Sequence, residues 1–263
     1  MTVGVDLSVQ PKKTGVAWID WSPSGAQVRN LVVGATDELI TQAVIEADKA
    51  GIDCPLGWPE TFVKFISAHH TGNVIVPAEV AGPAWQSTLA YRVTDKAVHD
   101  TTGLMPLSVA ADRIAYTAMR CARLLAQLAR KGQPVDRCGT GVVVEVYPAA
   151  SLHHWKLPHH RYKGKSNIKR LAQVVDALLA AAPWLTLDPF EDLCRRSDDA
   201  LDAVIAALTA RAATKGLVTA PNTTQAATSS TEGWIAVPTC PLSALSPVEV
   251  CHTFGSSGHG SLG

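Results

Sequence analysis

The stretch from residue 2 to residue 34 constrains the fold more than any other. Three runs rich in β-branched residues, 2–8 (TVGVDLS), 14–21 (TGVAWIDW) and 26–34 (AQVRNLVVG), are joined by short links carrying Pro11, Lys12 and Lys13, then Ser22, Pro23, Ser24 and Gly25. Links this short permit hairpins, so the chain is expected to open with a three-stranded antiparallel meander. A helix is predicted over 37–48, with Leu39, Ile40, Ala43, Val44 and Ala47 at helical spacing. Residues 49–54 read as a fourth strand closed by Pro55, Gly57 and Pro59. Residues 141–147 (GVVVEVY) read as a fifth, nearly all β-branched, as suits a strand covered on both faces. Further helices are predicted over 107–130, 167–182 and 197–213, and a short last strand over 233–238. The order β-β-β-α-β-α-β-α-α describes an α/β chain: a meander, right-handed crossovers into two parallel strands, and flanking helices.

Composition sets the bounds. At 263 residues, 47% apolar and only 17% charged, the chain can build a large core and is not disordered as a whole. One domain over 1–238 is expected, with an irregular insertion at about 55–106, rich in Pro, Gly, His and Trp, where 59–70 forms a short helix. The remainder, 239–263, ends in GSSGHGSLG and reads as a flexible tail. Formal charge is zero, so any nucleic-acid binding must come from a local patch. The six cysteines form no C-x-x-C pair and suit buried free thiols in a reducing compartment. No basic-then-apolar leader and no apolar run of about 18 residues is visible, so a cytoplasmic chain without a membrane partner is expected.

The chemistry resides in acids. Asp6 ends the first strand, Asp53 ends the fourth, Glu145 lies in the fifth, and Asp199 with Asp202 opens the last long helix. In an open sheet the carboxyl ends of neighbouring parallel strands converge where ligands bind. Asp199 and Asp202 are three apart and share a helix face, but so do Asp198 and Asp202 at a spacing of four, and spacing alone does not choose. Ser197 reads as an N-cap, which gives the first-turn acids a purely structural role as well. Asp6 and Asp53 could each organise a turn. Glu145, between Val144 and Val146, either pairs with an arginine or lines the site. Clustered carboxylates repel, and hard oxygen ligands are what Mg²⁺ and Mn²⁺ prefer, so a shared divalent cation is the expected cofactor.

At these residues the chain resembles a known family. GVDLS at 4–8, TGVAW at 14–18, IDCPLGWP at 52–59, Y-R-V-T-D at 91–95, EVYPAASL at 145–152, DDALDAVIAAL at 198–208 and EGWIAVP at 232–238 resemble domain of unknown function 429, described as predicted nucleases with an RNase H-like fold. The D-x-x-D at Asp199 and Asp202 is also similar to the closing motif of RuvC-type Holliday-junction resolvases. These resemblances imply a mixed RNase H-like sheet with Asp6 as the central metal ligand, Asp53 as the fourth-strand acid and Asp199 with Asp202 as the C-terminal pair. Glu145 enters as an accessory catalytic acid on the family pattern alone, and the resolvase likeness implies a homodimer.

Substrate-binding candidates lie downstream of the fifth strand. Between Glu145 and Asp176 there is no acid, while Arg161, Lys163, Lys165 and other cations alternate with Trp155, Tyr162 and four histidines. Such a stretch suits phosphates and unstacked bases, and equally a solvated loop. Lys163 is the first choice for a phosphate contact. Arg92, with Asp95, either reaches the substrate or forms a structural pair. The expected activity is metal-dependent hydrolysis of DNA or RNA phosphodiesters. Two other classes stand beside it. An ATP-dependent phosphotransferase of the actin and sugar-kinase type would need a second related half, and the chain has one. A non-catalytic nucleic-acid-binding adaptor would leave the acids unused.

Overall fold

In the computed structural model, which describes residues 1–74 and 82–247, the meander forms as predicted. β1 (Thr2–Asp6) pairs antiparallel with β2 (Gly15–Ser22), and β2 with β3 (Gly25–Val33). α1 (Asp37–Glu46) starts at Thr36, whose hydroxyl accepts a hydrogen bond from the Leu39 N–H, and leads to β4 (Lys49–Asp53), parallel to β1. β5 (Val143–Glu145) adds parallel to β4, and β6 (Leu185–Thr186) adds parallel to β3, giving the order β5-β4-β1-β2-β3-β6. The mixed α/β sheet, a meander extended in parallel by β4 and β5 at one edge and β6 at the other, is consistent with the RNase H-like expectation. β6 was not anticipated, since two residues carry no periodicity.

The segment read as an irregular insertion is helical. It holds α2 (Glu60–His70), α3 (Pro83–Ala90) and α4 (Val93–Thr102). α2 and α3 bury no residue, so they have no core-facing stripe to leave a period in the sequence. α5 (Ile114–Arg130) starts later than predicted. α6 (Pro148–His154), α7 (Ile168–Ala181), α8 (Glu191–Arg196), α9 (Asp198–Thr214) and α10 (Ala226–Glu232) complete the helices. Residues 233–238 form no strand; a single bridge joins Ile235 to Glu145 of β5, and another joins Pro238 to Val218 outside the sheet. The packed chain also runs past residue 238: Cys240, Leu242 and Leu245 are buried in the main core. The rest of the expected tail, 248–263, lies outside the described residues.

The sheet is covered on both faces. Val3, Val5 and Ile52 face α1 and α5, meeting Val44 and Leu124. Ala17 and Ile19 face α9 and α7, meeting Val204 and Leu178. α9 lies on the sheet backbone to backbone. Gly4, Gly15 and Gly51, on three adjacent strands, leave the room: a Cβ would sit 2.0 Å from the Ala203 carbonyl oxygen at Gly4, 2.2 Å from that of Asp199 at Gly15 and 2.5 Å from that of Ala206 at Gly51. Alanines on the helix side keep the approach close. This seat fixes where the first turns of α9 fall relative to the strand ends.

Candidate metal centre

The parallel register pairs Asp6 with Asp53 and Gly4 with Gly51. Side chains alternate along a strand, so each acid, two residues past its glycine, points to the face on which α9 lies. Asp202 comes down from α9 to meet them. One carboxylate oxygen from each of Asp6, Asp53 and Asp202 lies within 4.8 Å of the others. Asp202 is 1% exposed. Its Oδ1 accepts a hydrogen bond from the Tyr162 hydroxyl at 2.7 Å. Its Oδ2 lies 2.6 Å from Lys163 Nζ as an ion pair, yet accepts no aligned hydrogen bond.

Asp6 and Asp53 hold their protons tightly. Burial lifts the Asp6 carboxyl well above its ordinary range; the negative Asp202 adds to this, Lys163 opposes it, and Asp53 and Asp199 add a little more. Burial likewise pushes Asp53 up to about 7, with Lys163 pulling it down and Asp202 and Glu145 raising it. Burial pulls the Lys163 ammonium down, but Asp202, Tyr162, Asp53 and Asp6 outweigh that and hold it well above a normal lysine. One ammonium therefore does not neutralise the trio. The donor set is all oxygen, and Asp202 Oδ2 is a buried acceptor without a proper donor, so these residues fit a hard divalent cation.

The other candidates fall elsewhere. Asp199, expected as a fourth ligand, stands outside the oxygen cluster, although its charge reaches Asp6. Asp198 accepts a hydrogen bond from the Gly164 N–H at 2.9 Å, and Ser197 is the helix cap. Glu145 forms the arginine pair, one of the two roles expected of it, and also borders the cleft beside Asp53. It is in register with Ile52, one position out of phase with Asp53, so it leaves the opposite face of the sheet. There it takes a bidentate pair from Arg92 at 2.7 and 2.9 Å and a hydrogen bond from the Leu56 N–H at 3.0 Å. Arg92 likewise takes the structural one of its two expected roles. Its five N–H donors go to Glu145, Asp95 and the Glu232 carbonyl, which leaves none for a substrate.

A cleft of about 440 Å³ opens beside Asp53 and Lys163, with Arg92, Glu145, Tyr147, His159, His160 and Arg161 on its walls. Arg161 is held at φ +55°, a backbone conformation uncommon outside glycine. Lys165 is exposed in a 3-10 turn (Lys165–Asn167) and does not line this cleft. Two contributors were missed in the sequence. Tyr162 fixes Asp202, a role that its place among interleaved aromatics did not reveal. Burial raises the Asp199 carboxyl and the charges of Asp198 and Asp202 add to this, while Lys13, in the link after β1, opposes them. Neither leaves a local pattern, because both act across the fold.

Fold and site together define an α/β protein with a three-carboxylate centre at the carboxyl edge of its parallel strands. The chain belongs to the family described as Protein of unknown function (DUF429), whose model matches residues 4–226. Comparison with curated proteins and with solved structures gave no match. Among the described residues, no helix is long and apolar enough to cross a membrane.

Proposed function

We propose that the chain is a divalent-metal-dependent nuclease that hydrolyses phosphodiester bonds in DNA or RNA. The observation that carries this reading is the convergence of Asp6, Asp53 and Asp202 beside a cleft walled by Arg161 and two histidines. Asp6, Asp53 and Asp202 would hold Mg²⁺ or Mn²⁺, which supplies Lewis-acid chemistry to a phosphodiester when bound. Tyr162 holds Asp202 Oδ1 and leaves Oδ2 without a hydrogen bond. Arg161 offers its fork to a phosphate, and the rings of His159 and His160, 3.9 Å apart between centroids, offer faces to unstacked bases. Attraction is local, as zero formal charge requires. Free thiols at Cys54, Cys121, Cys194 and Cys240, all buried, support a cytoplasmic location.

The test is cleavage of a panel of single-stranded, duplex and branched DNA and RNA with and without Mn²⁺. Wild type is expected to cut at least one member, and Asp202→Asn to lose more than about 100-fold, because even the outer partners of metal ligands are worth 10 to 100-fold. Metal-dependent ATP turnover without cleavage would favour a phosphotransferase. Neither activity, with no ion bound, would favour an adaptor.

A further inference from the structure

We propose that Lys163 is a displaceable counter-cation, which offsets part of the charge of the trio and swings into the cleft when a divalent ion takes Asp202 Oδ2; this rests on the metal-dependent reading above. The ammonium stands 2.6 Å from Asp202 Oδ2, the oxygen that Tyr162 leaves without a hydrogen bond, and no other described cation lies within 4.0 Å of Asp202. A lysine nitrogen and a dication cannot share that oxygen, because both are positive and the site is closed on its inner side.

The surroundings allow the side chain to move and the backbone to stay. Tyr162 is buried and donates to Asp202 Oδ1 at 2.7 Å. The Gly164 N–H donates to Asp198 Oδ2 at 2.9 Å, and Asn167 Nδ2 donates to the Lys163 carbonyl at 2.8 Å. The chain is therefore pinned before, at and after Lys163. The Lys163 side chain itself is 50% exposed, against 1% for Asp202, so it enters the site from the solvent side and has water and cleft to retreat into. Its flexible four-carbon stem makes that retreat a rotation about single bonds. Once released, the ammonium lies on the wall that carries Arg161, where a substrate phosphate would meet it. Loading of the ion and recruitment of the phosphate become two results of one exchange.

Mn²⁺ titration of the full chain without nucleic acid tests the first half. Lys163→Met is expected to bind the ion at least about tenfold more tightly than wild type, since its competitor is gone, and Asp202→Asn to lose binding. Lys163→Gln, also uncharged, should follow Lys163→Met, and thermal melts confirm that each variant is folded. Equal or weaker binding by both lysine variants overturns the counter-cation and leaves the metal reading standing; no binding by any protein, wild type included, removes both. For the second half, anisotropy of a phosphorothioate single-stranded oligonucleotide is followed as Mn²⁺ is added. Wild type should gain affinity by a factor at least about tenfold larger than Lys163→Met does. Equal gains would show that the freed ammonium does not reach phosphate.

Discussion

At Asp53, burial dominates a single carboxyl. It lifts the group from 3.8 to about 7, against the pull of Lys163. The folded-state value is above the unfolded one, so the contribution to stability is complete below the unfolded value and is lost as pH rises through the folded one. Metal-free protein is therefore expected to lose stability between about pH 4 and about pH 7, by up to about 1.4 kcal/mol per pH unit per proton involved. Thermal melts across that range in chelator would show a falling Tm, flatter in Asp53→Asn. Added Mn²⁺ should restore Tm most at the alkaline end and release protons as it binds. Asp6, Asp53 and Asp202 were legible as candidates from their places at strand ends and a turn inside an apolar helix, although Asp6 and Asp53 also read as turn organisers. At Glu145 the acid was evident, but the face from which it points depends on the register of β5 against β4, which only the assembled sheet defines.

Among the elements, α9 decides whether a site exists. Its seat consists of Gly4, Gly15 and Gly51, and a single methyl on Gly4 would meet backbone atoms of Ala203 and Ala207 at 2.0 and 2.3 Å. Backbone at that distance cannot rotate away. Gly4→Ala is expected to cost about 1–3 kcal/mol or more in urea unfolding. It should also weaken Mn²⁺ binding in the folded fraction, because Asp202 moves with the helix; unchanged binding would show that α9 is not held by this contact. The strands and long helices were readable from their periods, as they face the core on at least one side. α3 was not, because it buries nothing, whereas α2 matches the short helix expected over 59–70. The glycines stood in plain view in GVDLS, TGVAW and AGID, yet their purpose is a contact with a helix far along the chain.

Across the whole molecule, Arg92 ties distant segments into one body. It joins the start of α4 through Asp95 to β5 through Glu145 and to α10 through the Glu232 carbonyl. The Glu232 carboxylate in turn accepts from the Glu60 and Val93 N–H groups, so it caps both α2 and α4. Replacing Arg92 with Met would leave Asp95 and Glu145 buried without a counter-charge, which is expected to cost about 3–5 kcal/mol. Urea unfolding measures that loss, and Mn²⁺ affinity of the remaining folded fraction should persist; abolished affinity would instead return Arg92 to the site. The Arg92–Asp95 pair could be anticipated from their spacing, whereas the part of Glu232 could not, since both helices it caps begin far away in sequence. The carboxylate trio has the same long-range character. Two of its oxygens come from β1 and β4, and the third arrives only with α9. A polypeptide still emerging from the ribosome thus holds two of the three carboxylates and no complete cage until α9 has been made.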